Sequence, residues 1–166
     1  MKYSVRPAQP ADFQRIEEIY ANARAFMTAS GNPNQWGTTH PPKTLLERDI
    51  AGGNLYVLTE GELIHGVFYF FAGDDPTYAR IQDGAWHCDR PYGTIHRIAG
   101  DGSGGILQAA VEFAAQRCQY LRIDTHADNA VMQRAIEKQG FQVCGTILTD
   151  DGTPRIAYDL IMLGGK

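Results

Sequence analysis

Between Gly93 and Phe141 the chain reads strand, glycine loop, helix, strand, helix, and this stretch restricts the possible folds more than any other. An apolar-rich run from Thr94 to Ala99 meets four glycines between Gly100 and Gly105. A segment with 3.6-residue apolar periodicity starts directly afterwards. A helix that opens from a glycine loop turns unpaired N–H groups and the positive end of its dipole toward whatever the loop holds. Glycine also lets a phosphate touch the backbone. The ligand expected at this loop therefore carries a pyrophosphate.

Composition narrows the classes of partner. With 166 residues and 43% hydrophobic content, a single domain over residues 1–166 with one packed core is expected. A net charge of −4, from 15 basic and 19 acidic residues, offers no basic field for nucleic acid or an anionic membrane. The three cysteines, Cys88, Cys118 and Cys144, have no CxxC spacing, so neither a disulfide framework nor a zinc knuckle is supported. His40, His65 and His87 show no metal-ligand spacing, and no metal site is expected. The N-terminal MKYSVRPAQPADF lacks the apolar core of a signal peptide, and the run from Val67 to Ala72 is too short to span a bilayer. These features lead to the expectation of a cytoplasmic protein with a small partner.

Taken in order, Tyr3 to Arg6 reads as a short edge strand stopped by Pro7, with Pro10 in a first helical turn. Phe13, Ile16, Ile19, Tyr20, Ala23, Phe26 and Met27 lay an apolar stripe along a helix, which is read as core. Ser30 to Pro42 is a loop around Trp36, either a plug on the domain or a pocket wall. Lys43 to Ile50 is a second helix, closed by Gly52-Gly53. Leu55 to Thr59 and Leu63 to Phe71 form a hairpin around Glu60-Gly61-Glu62, and the second strand is apolar enough to be covered on both faces. Asp74 to Ile81 is a proline-started turn or short helix. The aromatic pair Trp86-His87 either lines a cavity or caps the sheet edge. Gln142 to Leu148 and Arg155 to Leu163 make a last hairpin. The fold class expected is α/β of the α+β kind: a mixed, mostly antiparallel sheet, a central parallel strand pair, and helices on both faces. The hairpins leave sheet edges on which a homodimer could form.

The loop from Gly100 to Gly105 satisfies G-x-G-x-x-G, and Asp124 ends the next strand, as in a domain that binds NAD(P) for an oxidoreductase. That fold needs two βαβαβ halves, and only one helix and one hairpin follow the second strand. The complete order of elements instead resembles the GNAT superfamily of N-acetyltransferases. Asn129, AVMQRAIEKQ and Gly140-Phe141 match that family's Asn…Gly-Phe pattern, and Arg6 to Ala8, Asp12, Ile16 and Ile19 resemble its opening. Two positions depart from the pattern. Gly102 stands where a basic or amide residue is usual if Gly105 is the first loop glycine, which leaves the loop register open. Ile136 stands where many members place a tyrosine that protonates the leaving thiolate.

The resemblance implies an enzyme that uses acetyl-coenzyme A to acetylate an amine of a small molecule or protein by direct transfer. A coenzyme-binding module without catalysis is the other reading. The coenzyme would lie along Ile98, Ala99, Gly100, Gly102, Ser103, Gly104, Gly105 and Ile106, with backbone N–H groups of Ile98 and Gly100 on the acetyl carbonyl and the pantetheine arm. Asn129 would bond that arm, cap its own helix, or do both. Met132 and Ile136 would form an apolar wall beside it. For a base, His96 lies on the strand beside the acetyl group, or is a histidine satisfied within the sheet. Asp124 and His126 are a second candidate pair. Arg97 and Asp124 are alternatively a cross-strand ion pair. Tyr158 is a candidate acid, and Tyr20, Trp36, Tyr69 and Trp86 are candidate acceptor-binding residues.

Overall fold

The computed structural model describes residues 2 to 162. Met1 of the N-terminal reading and Leu163, the expected end of the last strand, lie outside the described residues. Seven strands form one sheet: β1 (Ser4–Pro7), β2 (Leu55–Glu60), β3 (Leu63–Ala72), β4 (Gly93–Gly100), β5 (Tyr120–Thr125), β6 (Gln142–Leu148) and β7 (Pro154–Ile161). Their spatial order is β1-β2-β3-β4-β5-β7-β6, and every pairing is antiparallel except β4 with β5. The four α-helices are α1 (Phe13–Ala29), α2 (Lys43–Ala51), α3 (Ile106–Ala115) and α4 (Ala130–Lys138). A single βαβ unit, β4-α3-β5, sits between hairpins. This is the expected mixed sheet, and it contains no second nucleotide-binding half. No helix among the described residues is long and apolar enough to cross a membrane.

Strand periodicity explains the two cores on either face of β2 and β3; a third cluster, Tyr78, Tyr92, Tyr120, Ile147 and Ala157, lies under the β3–β4 connection. Leu55 and Val57 of β2, with Ile64 and Val67 of β3, face Ile16, Ile19 and Tyr20 of α1 and Leu46 of α2. Leu58, Phe68 and Phe70 face the other way, onto Ile106, Ala110, Val111 and Phe113 of α3 and Ile136 of α4. The β3 strand is thus apolar throughout because helices cover it on both faces. The α1 stripe departs from expectation at its end: Phe26 is 56% exposed and belongs to neither core.

The long β3–β4 connection is held against the far end of the sheet. Its proline turn is a 3₁₀ helix, Pro76–Tyr78, capped by the Asp75 carboxylate, which accepts the Thr77 N–H at 2.9 Å. Further on, Gln82 and Thr146 of β6 exchange two backbone hydrogen bonds of 2.8 Å, and Ala85 N–H donates to Cys144 O at 3.0 Å. A side chain at Gly84 would place its Cβ 1.9 Å from Cys144 O, so only glycine permits this approach.

Candidate functional site

Parallel pairing of β4 with β5 covers only Gly93 with Leu121 and Thr94 with Arg122; beyond it the strands part. On its other side β4 also breaks register, because Val67 opposes Ala99 while Tyr69 opposes His96. The bulge puts Arg97 at φ 52°, in the left-handed region. The backbone around Arg97 and Ile98 is therefore free of the β3 ladder where β5 has already turned away. A cavity of about 810 Å³ opens at this fork. Its walls are Thr94 to Ile98 of β4, Ile123 to Thr125 of β5, the α1–α2 loop around Trp36, Asp74 to Thr77, Asn129, Met132, Thr149 to Asp151, and Arg155. Two hydroxyls on these walls, Thr94 Oγ1 and Thr125 Oγ1, are buried with no hydrogen-bond partner in the protein.

His96 lies half-buried on the cavity wall. Its Nε2 is 2.6 Å from Asp75 Oδ2, and its Nδ1 is 4.0 Å from Asp124 Oδ2. Burial works to raise the Asp75 carboxyl, but the His96 ring and the Thr77 N–H and hydroxyl outweigh it and hold the group down at about 2. Asp75 is thus an anion that orients the ring. Asp124 accepts the Tyr78 hydroxyl at 2.6 Å. Burial, reinforced by Asp124, pushes that phenol well above its ordinary value, so it remains a donor. Neither Asp75 nor Tyr78 stands out in the sequence, where Asp74 to Ile81 reads only as a proline-started turn or short helix.

Two sequence expectations are corrected here. Arg97 pairs with Asp49 of α2, not with Asp124: Nη2 and Nε lie 2.9 and 3.0 Å from Asp49 Oδ2, and the guanidinium covers the Tyr69 ring at 4.3 Å. The bulge turns Arg97 toward α2, a reversal that strand alternation does not foresee. Asp124 and His126 do not form a pair either. His126 Nδ1 accepts the Asp128 N–H at 3.0 Å in the turn after β5, outside the cavity wall.

The glycine loop begins two residues after the cavity-lining Ile98 and lies on open surface. Gly105 is the N-cap of α3 at φ 74°, and Gly102 and Gly104 also have positive φ. A Cβ added at Gly102 or Gly104 would meet nothing within 4 Å, so the loop's face is clear to receive a group. The opening N–H groups of α3, from Ile106 onward, have no intrahelical acceptor. Tyr3 anchors the loop from behind, its hydroxyl donating to Gly104 O at 2.6 Å, and Ser103 N–H donates to Asp101 Oδ1 at 3.0 Å. Ile106 folds back to within 2.7 Å of where a Gly100 Cβ would stand, closing the loop onto β4. Ala99 is buried beneath α1, leaving its backbone as the part available.

The other named residues divide. Asn129 caps α4, its Oδ1 accepting Met132 N–H at 3.0 Å, while its amide donates to Gln35 Oε1 at 2.9 Å. Met132 lines the cavity. Ile136 does not form a wall beside it; it is fully buried in the core under α3 and α4. Tyr158 lies in that same core, 1% exposed, with burial and then Glu137 pushing its phenol up to about 12. Trp36 and Tyr69 line the cavity. Tyr20 and Trp86 do not. Tyr20 is fully buried, supports the bulge by donating to Arg97 O at 2.6 Å, and carries Trp36 edge-on. Trp86 stacks on the Arg122 guanidinium at 4.1 Å and donates to Tyr78 O.

The absence of metal-ligand spacing in sequence is only part of the picture. His87, Cys144 and Asp159, from three separate elements, bring ligand atoms within 4.8 Å of one another and could hold a metal ion. As it stands, the group is a hydrogen-bonded network outside the cavity: Asp159 accepts from the His87 backbone N–H, faces His87 Nδ1 at 2.7 Å, and accepts the Tyr120 hydroxyl.

No protein-family model matches the sequence, and no curated protein matches it. Solved structures do. A GNAT-family acetyltransferase from Streptococcus agalactiae is 29% identical, with 98% of this chain and 96% of that one covered at a TM-score of 0.86. A GNAT-family acetyltransferase from Listeria monocytogenes is 19% identical, covering 96% and 95%, at 0.69. The yncA protein of Salmonella typhimurium, solved with its cofactor acetyl-CoA, is 17% identical, covering 100% and 98%, at 0.60. The strand order, the forked parallel pair and these likenesses agree, and the chain has the fold of the GNAT superfamily of acetyltransferases.

Proposed function

We propose that this chain is an acetyl-coenzyme A dependent N-acetyltransferase that passes the acetyl group directly to an amine. The observation that carries the reading is the fork between β4 and β5, whose β4 arm carries His96, paired with Asp75, and then runs directly into the glycine loop ahead of α3. The loop fits a pyrophosphate: its face is clear of side chains, and a helix N-terminus points into it. The coenzyme would supply the activated thioester. The chain's own residues position and polarise it. N–H groups at the Arg97–Ile98 bulge, free of the β3 ladder, would donate to the acyl oxygen and polarise it.

His96 takes a proton from the incoming ammonium, and the Asp75 carboxylate stabilises the imidazolium that results. As the C–N bond forms and the C–S bond breaks, the thiolate departs without help from Ile136 or Tyr158, both sealed in the core. The second proton of the amine is released to solvent as the amide forms, and the thiolate, from a thiol of pKa about 8.5, leaves tolerably well and takes its proton from solvent. The direct test is a thermal-shift panel of acetyl-coenzyme A, coenzyme A, NAD and NADP. A ligand at one hundred times its Kd stabilises by about 2.7 kcal/mol. Stabilisation by both coenzyme A forms is expected; stabilisation by NAD or NADP alone would overturn the proposal.

A further inference from the structure

Arg155, at the start of β7, is 9% exposed and lies on the cavity wall. The other well-buried guanidiniums nearby are balanced, Arg97 by Asp49 and Arg122 by Trp86 and Tyr92 on either side. Arg155 has no such partner: among the described residues no carboxylate lies within 4 Å of it. Its guanidinium donates only to backbone, to Pro154 O at 3.1 Å and to Gln35 O at 3.4 Å, the second near the limit of a hydrogen bond. Most of its five donors are thus unused. A desolvated cation with no carboxylate in contact is costly, and its place on a cavity wall points to an anion supplied by a ligand.

The surrounding field supports this. His40, on the same wall, is pushed below its ordinary value by burial first and then by Arg97, Arg155 and Arg24, which marks a positive end of the cavity. Asp124 and Asp151 act on Arg155 through space, and Asp151 on His40, but neither carboxylate lies within 4 Å of Arg155. Asp74, Asp150 and Asp151 stand on the exposed rim, while Asp75 and Asp124 are engaged by His96 with Thr77 and by Tyr78. The cavity therefore offers a proton acceptor at His96 and an unpaired cation at Arg155. We propose that Arg155 binds the carboxylate of the acceptor, and that the acceptor is a free amino acid whose amine is presented to His96. A guanidinium takes a carboxylate through two parallel hydrogen bonds. A simple polyamine carries no such group. This inference rests on the acyl-transfer reading.

The test is isothermal titration of the protein, saturated with coenzyme A, with each of the twenty common amino acids and with the matching α-carboxamides. At least one amino acid is expected to bind about tenfold or more tightly than its amide, as a charge-assisted pair requires. Arg155→Gln should bring that ratio near one, and Arg155→Lys should keep part of it, with coenzyme affinity unchanged in both. If no amino acid outbinds its amide in the unaltered protein, the inference is wrong, whatever becomes of the variants. Survival of the preference in folded Arg155→Gln would also overturn it. Failure of the acyl-transfer reading is read separately, as failure of coenzyme A to bind in the first titration.

Discussion

Gly84→Ala tests whether the site depends on the β3–β4 connection being clamped to β6. The added Cβ would stand 1.9 Å from Cys144 O and 3.0 Å from its carbonyl carbon, both backbone atoms that no rotamer change can move aside. The connection must therefore lift away by more than an ångström. The three backbone hydrogen bonds it makes to β6, between Gln82 and Thr146 and from Ala85 to Cys144, would be lost or badly stretched. At about 0.5–1.5 kcal/mol each, the loss is roughly 1.5–4.5 kcal/mol. For a domain of this size that lowers Tm by about 3–18 °C. Amide hydrogen exchange at Ala85 should accelerate far more than exchange in β2 or β3. Asp75 and Tyr78 ride on the same connection, so kcat/KM should fall as well. Gly152→Ala is the control: its Cβ would meet nothing within 4 Å, and its left-handed φ of 82° carries only about 1–2 kcal/mol of backbone strain. A Gly84→Ala protein with unchanged Tm and unchanged Ala85 protection would refute the clamp.

Three further outcomes follow from the same geometry. Gly105→Glu puts a carboxylate at the mouth of α3 in a left-handed position, so calorimetry should show coenzyme A binding abolished, at about 1–2 kcal/mol of stability lost to strain. Asp49→Ala strands the Arg97 guanidinium and should cost about 3–5 kcal/mol in urea unfolding, whereas Asp49→Leu combined with Arg97→Met should recover most of it. Asp75 has its carboxyl depressed to about 2, so its contribution to stability is present above the unfolded value near 4 and is lost as pH falls from about 4 through 2. Asp75→Asn should flatten the stability profile in that window. It should also reduce kcat/KM at neutral pH with His96 still in place, and a variant with an unaltered acid limb and full activity would remove Asp75 from the site.

What the sequence shows and hides divides along the range of the interactions. Alternation in β2 and β3, the glycine loop ahead of α3, and the Asn129 cap are local patterns, and each stands where periodicity or turn chemistry puts it. The site's charged partners are not local. His96 meets Asp75 across 21 positions and Arg97 meets Asp49 across 48, by way of a bulge that no residue type announces. The Asp124–His126 reading assumed that a strand's alternation continues past its end. The chain turns after Thr125, and His126 follows the turn. Arg155 gave no signal because an arginine at a strand's start usually reaches solvent; only the folded sheet, closed by the Trp36 loop, removes it from water.

Ile136 shows how a departure from a family pattern acquires physical content. In sequence it reads as a missing proton donor beside the coenzyme. In the structure it is fully buried against the same core as Tyr158 and Phe141. A tyrosine at 136 would have to overfill that core or redirect into the cavity past Met132, at a cost of about 1–3 kcal/mol for the first route. The Tyr158 phenol already occupies this layer, and burial, with Glu137 behind it, keeps it a neutral phenol. The α4 side of the fork is therefore built as packing, and the ionisable groups of the cavity come from other elements, from β4, β5, β7, the clamped connection and the loops around them. Proton handling at this fork then depends on how firmly Gly84 lets that connection lie against β6, which couples a backbone contact remote from the acyl group to the chemistry at His96.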